Sequence, residues 1–161
     1  VAMLRLGVGS CARLAVDDRE LRRSGPSYSV DTLAELRREL GAGTPLVLCV
    51  GADAFAGFAT WHRYADIFEL AHVLVLTRPG QGTRAAWPEA LRLQTVDRRG
   101  SIADLRNSAA GRIAELAVTP LSISATAVRA LVAGGRNPRF LVPDAVADYI
   151  AESGTYSAVA S

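Results

Sequence analysis

Two short, continuous apolar runs narrow the fold more than anything else in this chain: Leu46-Val-Leu-Cys-Val50 and His72-Val-Leu-Val-Leu-Thr77. Runs of this kind are the pattern of strands buried on both faces of a parallel sheet. Between them, Ala54–Phe58 and Trp61–Leu70 read as two short helices. Parallel strands need such crossovers, so the order of elements predicts an α/β architecture with a mostly parallel sheet.

The remaining segments extend the alternation. Residues 1–9 read as the tail of a helix stopped at Gly7 and Gly9. Arg13–Leu21 alternates loosely and suggests a strand, and Gly25-Pro26-Ser27 is a turn. Leu33, Leu36 and Leu40 recur at helical spacing, and Gly41 supplies the stop. Asp31 or Ser29 could cap that helix, and Thr32 with Glu35 matches a capping box. Residues 86–94 read as helical and Ala114–Val118 as a strand. Ser124–Gly134 is a helix with Ala127, Val128 and Leu131 on one face, and Pro143–Glu152 a last helix with proline in its first turn.

Half of the 161 residues are apolar and 21% are charged, enough for one real core. No repeat, linker or low-complexity tract divides the chain, so residues 1–161 are expected to form a single domain. With 18 basic against 16 acidic residues the net charge is +2, which argues neither for nucleic acid nor for an anionic membrane surface. No apolar run approaches the roughly 20 residues of a membrane span. Cys11 and Cys49 make no disulfide framework; Cys49 reads as a buried, reduced thiol, and with no signal peptide visible the expected compartment is the cytoplasm.

Open α/β sheets bind ligands beyond the carboxyl ends of their strands. That rule points to the residues after Val50, after Thr77 and after Pro120. Gly51-Ala52-Asp53 follows the first run: glycine lets backbone approach a ligand, and aspartate either caps the next helix or accepts from a ribose hydroxyl. Leu121-Ser-Ile-Ser-Ala-Thr-Ala-Val-Arg129 leads into a helix with two small hydroxyl residues at its start. Ser124 and Thr126 there serve either as a plain cap or, with Arg129, as a seat for an anion at the positive end of the helix dipole. Pro26-Ser-Tyr-Ser-Val-Asp-Thr32 offers Tyr28, hydroxyls and backbone N–H groups at another helix start, or is simply a capped turn. Trp61-His62-Arg63 is either core or site. No Cys or His cluster has metal-ligand spacing, neither His62 nor His72 has a nucleophile motif nearby, and neither a P-loop nor a G-x-G-x-x-G pattern is present.

Together these segments resemble bacterial nicotinate-nucleotide adenylyltransferases. Ser27-Tyr-Ser-Val-Asp-Thr-Leu33 is similar to the family's S-Y-T-x-D-T-L, and Gly51-Ala-Asp53 followed by Thr60-Trp-His-Arg63 to its G-A-D…T-W-H-R. Thr77-Arg-Pro-Gly80 resembles S-R-P-G, and Ile123-Ser-Ala-Thr126 with Arg129 resembles I-S-[SA]-T-x-x-R. Phe140-Leu-Val-Pro-Asp-Ala-Val146, Tyr149-Ile150 and Gly154-Thr-Tyr156 resemble the C-terminal signature. The matches run in family order over residues 27–156, with Ser29 and Thr77 as mild departures.

The resemblance implies a Rossmann-like nucleotidyltransferase fold with helices on both faces of the sheet. It implies ATP and nicotinate mononucleotide as substrates, deamido-NAD and diphosphate as products, and Mg²⁺ carried mainly on the ATP phosphates. By motif, Tyr28, Ser29, Trp61 and His62 would form the nicotinate pocket, with Trp61 stacked on the pyridine ring and Arg78 near the mononucleotide phosphate. Gly51 and Asp53 would hold the adenosine side, while Ile123, Ser124, Thr126 and Arg129 would hold the ATP phosphates, Arg129 acting in catalysis. Rival readings are a sister adenylyltransferase for nicotinamide mononucleotide or pantetheine phosphate, and a non-catalytic nucleotide-binding module. A homo-oligomer is left open.

The family opens with a G-G-[TS]-F-D-P-x-H-x-G-H strand–turn–helix segment whose counterpart is absent from residues 1–161. Val1-Ala-Met-Leu4 already runs in apolar helical rhythm without a cap. The expectation is that these residues are the C-terminal three-quarters or so of the domain, lacking its first strand and helix, and that they are inactive and poorly folded alone.

Overall fold

The structure, a computed structural model, describes residues 1–78, 87–119 and 121–156. The chain divides into two compact units, Arg23–Pro120 and Val1–Arg22 with Leu121–Ser161. Each is described by itself.

The larger unit is built on three parallel strands, β1 (Val47–Gly51), β2 (His72–Thr77) and β3 (Ile113–Ala117), in the order β1-β2-β3. Val47 pairs with His72 and Gly51 with Leu76; Val73 pairs with Ile113 and Thr77 with Ala117. Helix α2 (Ser29–Leu40) precedes β1. Helices α3 (Ala52–Ala56) and α4 (Tyr64–Leu70) make the crossover from β1 to β2, joined by a 3₁₀ turn over Phe58–Thr60. Helix α5 (Glu89–Thr95) lies between β2 and β3.

Alternation along the strands decides what is buried. Leu48, Val50, Val73, Val75 and Ile113 share one sheet face, and the hydrophobic core packs there with Val30 and Leu33 of α2, Phe55, Phe58, Ile67, Phe68 and Leu91. Phe55, Phe58, Phe68 and Leu91 are completely buried, each stabilising the unit by roughly 1.5–3 kcal/mol. On the opposite face Val47, Cys49 and Gly51 are exposed, while Leu74, Leu76 and Leu116 are half-buried. The expected two-sided burial therefore holds for β2, which has a strand on either side, and fails for β1, which pairs with β2 alone among the described residues. Cys49 is corrected with it: its thiol is exposed, because it points to the uncovered face of an edge strand.

Arg37 ties α2 to the rest of this unit. Its guanidinium donates to the carbonyl oxygens of Leu70 at the end of α4, of Ala109 at 2.8 Å and of Gly41 at 3.1 Å. The Leu70 carbonyl stands at the end of a helix, where intrahelical donors run out, while the Ala109 and Gly41 carbonyls also accept from the backbone N–H groups of Leu46 and Thr44. Gly41 closes α2 at φ 86, a backbone conformation that L side chains rarely adopt. His72 is completely buried and structural: its Nδ1 accepts from the Arg112 N–H at 2.9 Å, so Nε2 carries the proton donated to the Ser108 carbonyl at 2.8 Å.

The smaller unit contains α1 (Ala2–Val8), α6 (Ala125–Ala133) and α7 (Asp144–Ser153). Val128, Pro138, Val146, Ala147 and Ile150 are its buried residues among those described, and Gly7 of α1 lies close against Val146 of α7. Arg139 holds Asp144 and Asp148, each at 3.3 Å.

Two local expectations are corrected here. Residues 13–21 form no strand; the segment ends in a 3₁₀ turn over Arg19–Arg22. Asp17 accepts from the Arg19 backbone N–H at 3.0 Å, an Asx-type turn that outcompetes extended pairing. That same backbone bond, with Arg19's side chain adding and burial opposing, holds the Asp17 carboxyl below the usual carboxylate range. Neither Thr32 nor Glu35 makes a capping box: α2 has Tyr28 at its N-cap and no side-chain cap bond. Both side chains instead bind Arg23, which donates to Glu35 Oε1 and to Thr32 Oγ1 at 3.0 Å. With α2 beginning at Ser29, Thr32 lies inside the helix and cannot be its N-cap.

Candidate active site

In the larger unit, Ser27, Tyr28, Ser29, Thr60, Trp61, His62 and Ile67 line one cavity of about 290 Å³. Four of the residues that the sequence singles out, Tyr28, Ser29, Trp61 and His62, are thus brought together from two separate segments. Tyr28 and Ser29 arrive at the start of α2, where the first N–H groups of a helix have no partner within it. Trp61 and His62 arrive from the turn between the 3₁₀ segment and α4.

Rings dominate the cavity wall. Tyr28 and His62 stack with centroids 4.1 Å apart and planes inclined by 28°. Trp61 is half-buried and packs on Phe58 at 4.9 Å. Phe58 in turn meets Phe55, Tyr64 and Phe68, so the Trp61 ring rests on a rigid aromatic base. Thr60 Oγ1 donates to the Gly57 carbonyl at 2.8 Å and fixes the approach to Trp61. An aromatic-walled cavity with hydroxyls and helix-start N–H groups suits a flat ring that carries an anionic substituent. The sequence does not single out Ser27, Thr60 or Ile67 as site residues; Ser27 and Thr60 lie inside family-like motifs, and Ile67 carries no local signal beyond its helix.

At the carboxyl end of β1, Gly51 occupies the N-cap of α3 at φ −69, a value open to any residue. A Cβ built there would meet nothing within 4 Å. Neither conformation nor described neighbours therefore demand glycine there. Asp53 is exposed in the first turn of α3 and makes no side-chain cap bond, so capping, one of its two readings, is set aside. Arg78 follows β2 directly and is exposed. Pro79 and Gly80 lie outside the described residues.

The remaining candidates lie in the smaller unit. Ile123 is 41% exposed, and Ser124 is the N-cap of α6, accepting from the Ala127 N–H at 3.1 Å. Thr126 lies in the first turn, where its hydroxyl accepts from Arg129 Nη2 at 3.3 Å. Arg129 is exposed, and no carboxylate pairs with it among the described residues. Ser124 is therefore a cap in fact, and it can serve a phosphate only in addition. Ser124→Asp separates the two roles: aspartate caps as well as serine but repels a phosphate. The variant is expected to melt within about 0.5 kcal/mol of the parent while adenylyl transfer falls by about tenfold or more. Unchanged turnover would leave Ser124 as a cap alone. Among the described residues no three His, Cys, Asp or Glu side chains gather into a metal-binding group, and no helix is long and apolar enough to cross a membrane.

A parallel sheet with ligand-competent loops at the carboxyl ends of its strands, an aromatic cavity beside it and an α6 start carrying small hydroxyls define an α/β protein of the nucleotidyltransferase class. No model of a known protein family matches the chain. Two curated relatives, each carrying the name "Probable nicotinate-nucleotide adenylyltransferase", are close. The one from Cellvibrio japonicus is 44% identical over 154 residues, covering 96% of this chain and 72% of the relative. The one from Dechloromonas aromatica is 48% identical over 156 residues, with the same coverage of 96% and 72%. Among solved structures, Plasmodium falciparum nicotinic acid mononucleotide adenylyltransferase complexed with APC superposes with a TM-score of 0.63 at 13% identity, over 96% of this chain and 72% of that one. That likeness is one of fold. At the identity and coverage of the two curated relatives, the chain belongs to the nicotinate-nucleotide adenylyltransferase family.

Proposed function

We propose that this protein transfers the adenylyl group of ATP to nicotinate mononucleotide, giving deamido-NAD and diphosphate. The observation that carries the reading is the meeting of Tyr28, Ser29, Trp61 and His62 around one aromatic cavity. Trp61, backed by Phe58, offers a face to the pyridine ring, and the helix-start N–H groups near Ser29 offer donors to its carboxylate. Arg78 serves the mononucleotide phosphate. Gly51 and Asp53 serve the adenosine, where an uncapped carboxylate can accept from ribose hydroxyls. Ile123, Ser124 and Thr126 present the N-terminus of α6 to the ATP phosphates, with Arg129 beside Thr126.

In the reaction, a phosphate oxygen of the mononucleotide attacks the α-phosphorus of ATP. The bond from that phosphorus to the bridging oxygen breaks, and its electron pair leaves with diphosphate. The protein contributes position and charge: no covalent intermediate is required, and Arg129 neutralises charge that builds on the leaving group. Mg²⁺ belongs to this reading as a companion of the ATP phosphates. A single catalytic domain working in the cytoplasm completes the proposal.

The test, made on the natural full-length protein, is diphosphate release from ATP with nicotinate mononucleotide, nicotinamide mononucleotide or phosphopantetheine as acceptor. Turnover is expected to be highest with nicotinate mononucleotide. No release with that acceptor would overturn the reading, and preference for another would transfer it to a sister enzyme.

A further inference from the structure

Trp61 to Tyr64 form a β-turn closed by the Tyr64 N–H on the Trp61 carbonyl at 3.2 Å. Its third residue, Arg63, is left-handed at φ 50, ψ 40. That turn position favours glycine or asparagine, because any Cβ there is crowded. Arg63 is the one described non-glycine residue of the larger unit with positive φ. The turn also carries both ring residues of the cavity, Trp61 in first place and His62 in second.

Local contacts hold the strained residue without accounting for it. Arg63 Nε donates to Asp66 Oδ2 at 2.7 Å, and the Asp66 N–H donates to the Arg63 carbonyl at 3.0 Å. The side chains of Arg63 and Asp66 are 58% and 47% exposed, so their ion pair is too screened to repay the backbone penalty. What the left-handed residue achieves is direction. It lets the chain turn into α4 while Trp61 packs down on Phe58 and His62 lies over Tyr28.

We propose that Arg63 is a positioning residue for the acceptor site: its left-handed backbone, rather than its guanidinium, sets where the Trp61 and His62 rings stand. The inference rests on the acceptor cavity described above. It goes beyond that reading because Arg63 needs no contact with substrate.

The experiment compares Arg63→Gly, Arg63→Asn and Arg63→Val in the purified natural full-length protein. Glycine and asparagine accept the left-handed region, whereas a β-branched residue resists it. Arg63→Val is expected to raise the KM for nicotinate mononucleotide by about 5- to 30-fold, the equivalent of a left-handed penalty, with kcat and the KM for ATP within about twofold. Arg63→Gly and Arg63→Asn are expected to stay within about threefold on all counts. Acrylamide quenching of tryptophan fluorescence supplies a readout that needs no turnover. Trp87 is buried, so quenching reports Trp61, and it is expected to rise in Arg63→Val only. If Arg63→Val lowers the melting temperature but leaves KM and quenching unchanged, the residue is merely structural and the proposal is overturned. If Arg63→Gly raises KM as much as Arg63→Val, the guanidinium does the work and the proposal is likewise overturned. Absence of transfer by the parent protein would sink the proposed function, while quenching would still decide whether Arg63 places Trp61.

Discussion

Replacing Trp61 with alanine is expected to raise the KM for nicotinate mononucleotide by about 5- to 150-fold, the equivalent of one lost aromatic stack, while the KM for ATP stays within about twofold. The asymmetry follows from placement. Trp61 lines the cavity with Tyr28, Ser29 and His62, and among the described residues its one ring contact is Phe58. Its other side packs on Phe58, so the alanine variant also removes a core contact and lowers the melting temperature. Trp61→Phe separates the two losses: a smaller ring still covers Phe58 and still offers a stacking face. That variant is expected to recover most of the stability and part of the affinity. The check is a set of steady-state titrations of each substrate beside thermal melts. A mononucleotide KM unchanged in Trp61→Ala would return the residue to the core and remove the main support for the acceptor site.

Arg129→Ala should lower kcat by about 100-fold, the scale seen when one preorganised donor to developing charge is removed. Mononucleotide binding should change far less, since the charge acts on the ATP side as diphosphate departs. The structure separates this from a folding effect. Arg129 is exposed, its one recorded bond is a 3.3 Å contact with the neighbouring Thr126, and it carries no ion pair among the described residues. Deleting such a side chain costs at most about 0.5 kcal/mol of stability. Melting should therefore be unaffected while turnover collapses. A variant with normal turnover per folded molecule would remove Arg129 from the chemistry.

Both experiments depend on features of unequal legibility. The run His72–Thr77 became β2 with its bounds unchanged, because a strand flanked on both sides must be apolar throughout. The helix ending at Gly41 was equally plain, since a glycine directly after a periodic run has few other uses. The site motifs were legible as a set through their family resemblance. On physical grounds alone each kept two readings, and Ser124 shows why: a helix cap and a phosphate seat ask for the same small hydroxyl at the same place.

What the sequence determined by itself was local and periodic: the α/β alternation, the position of β2, the stop of α2, and the residues with chemistry worth testing. The tertiary structure alone decided the rest. Burial of Cys49 depended on how many neighbours β1 has and which sheet face the core covers, and neither is encoded in the run that contains it. Thr32 and Glu35 left their expected cap because α2 starts at Ser29, which puts Thr32 inside the helix, where both side chains bind Arg23 at 3.0 Å. Arg63 took a left-handed conformation that its own preference opposes, because closing the turn between Trp61 and Tyr64 sets the direction of the chain there. Periodicity reports which residues want to be hidden, but only the assembled sheet and its packed helices determine what lies beside them.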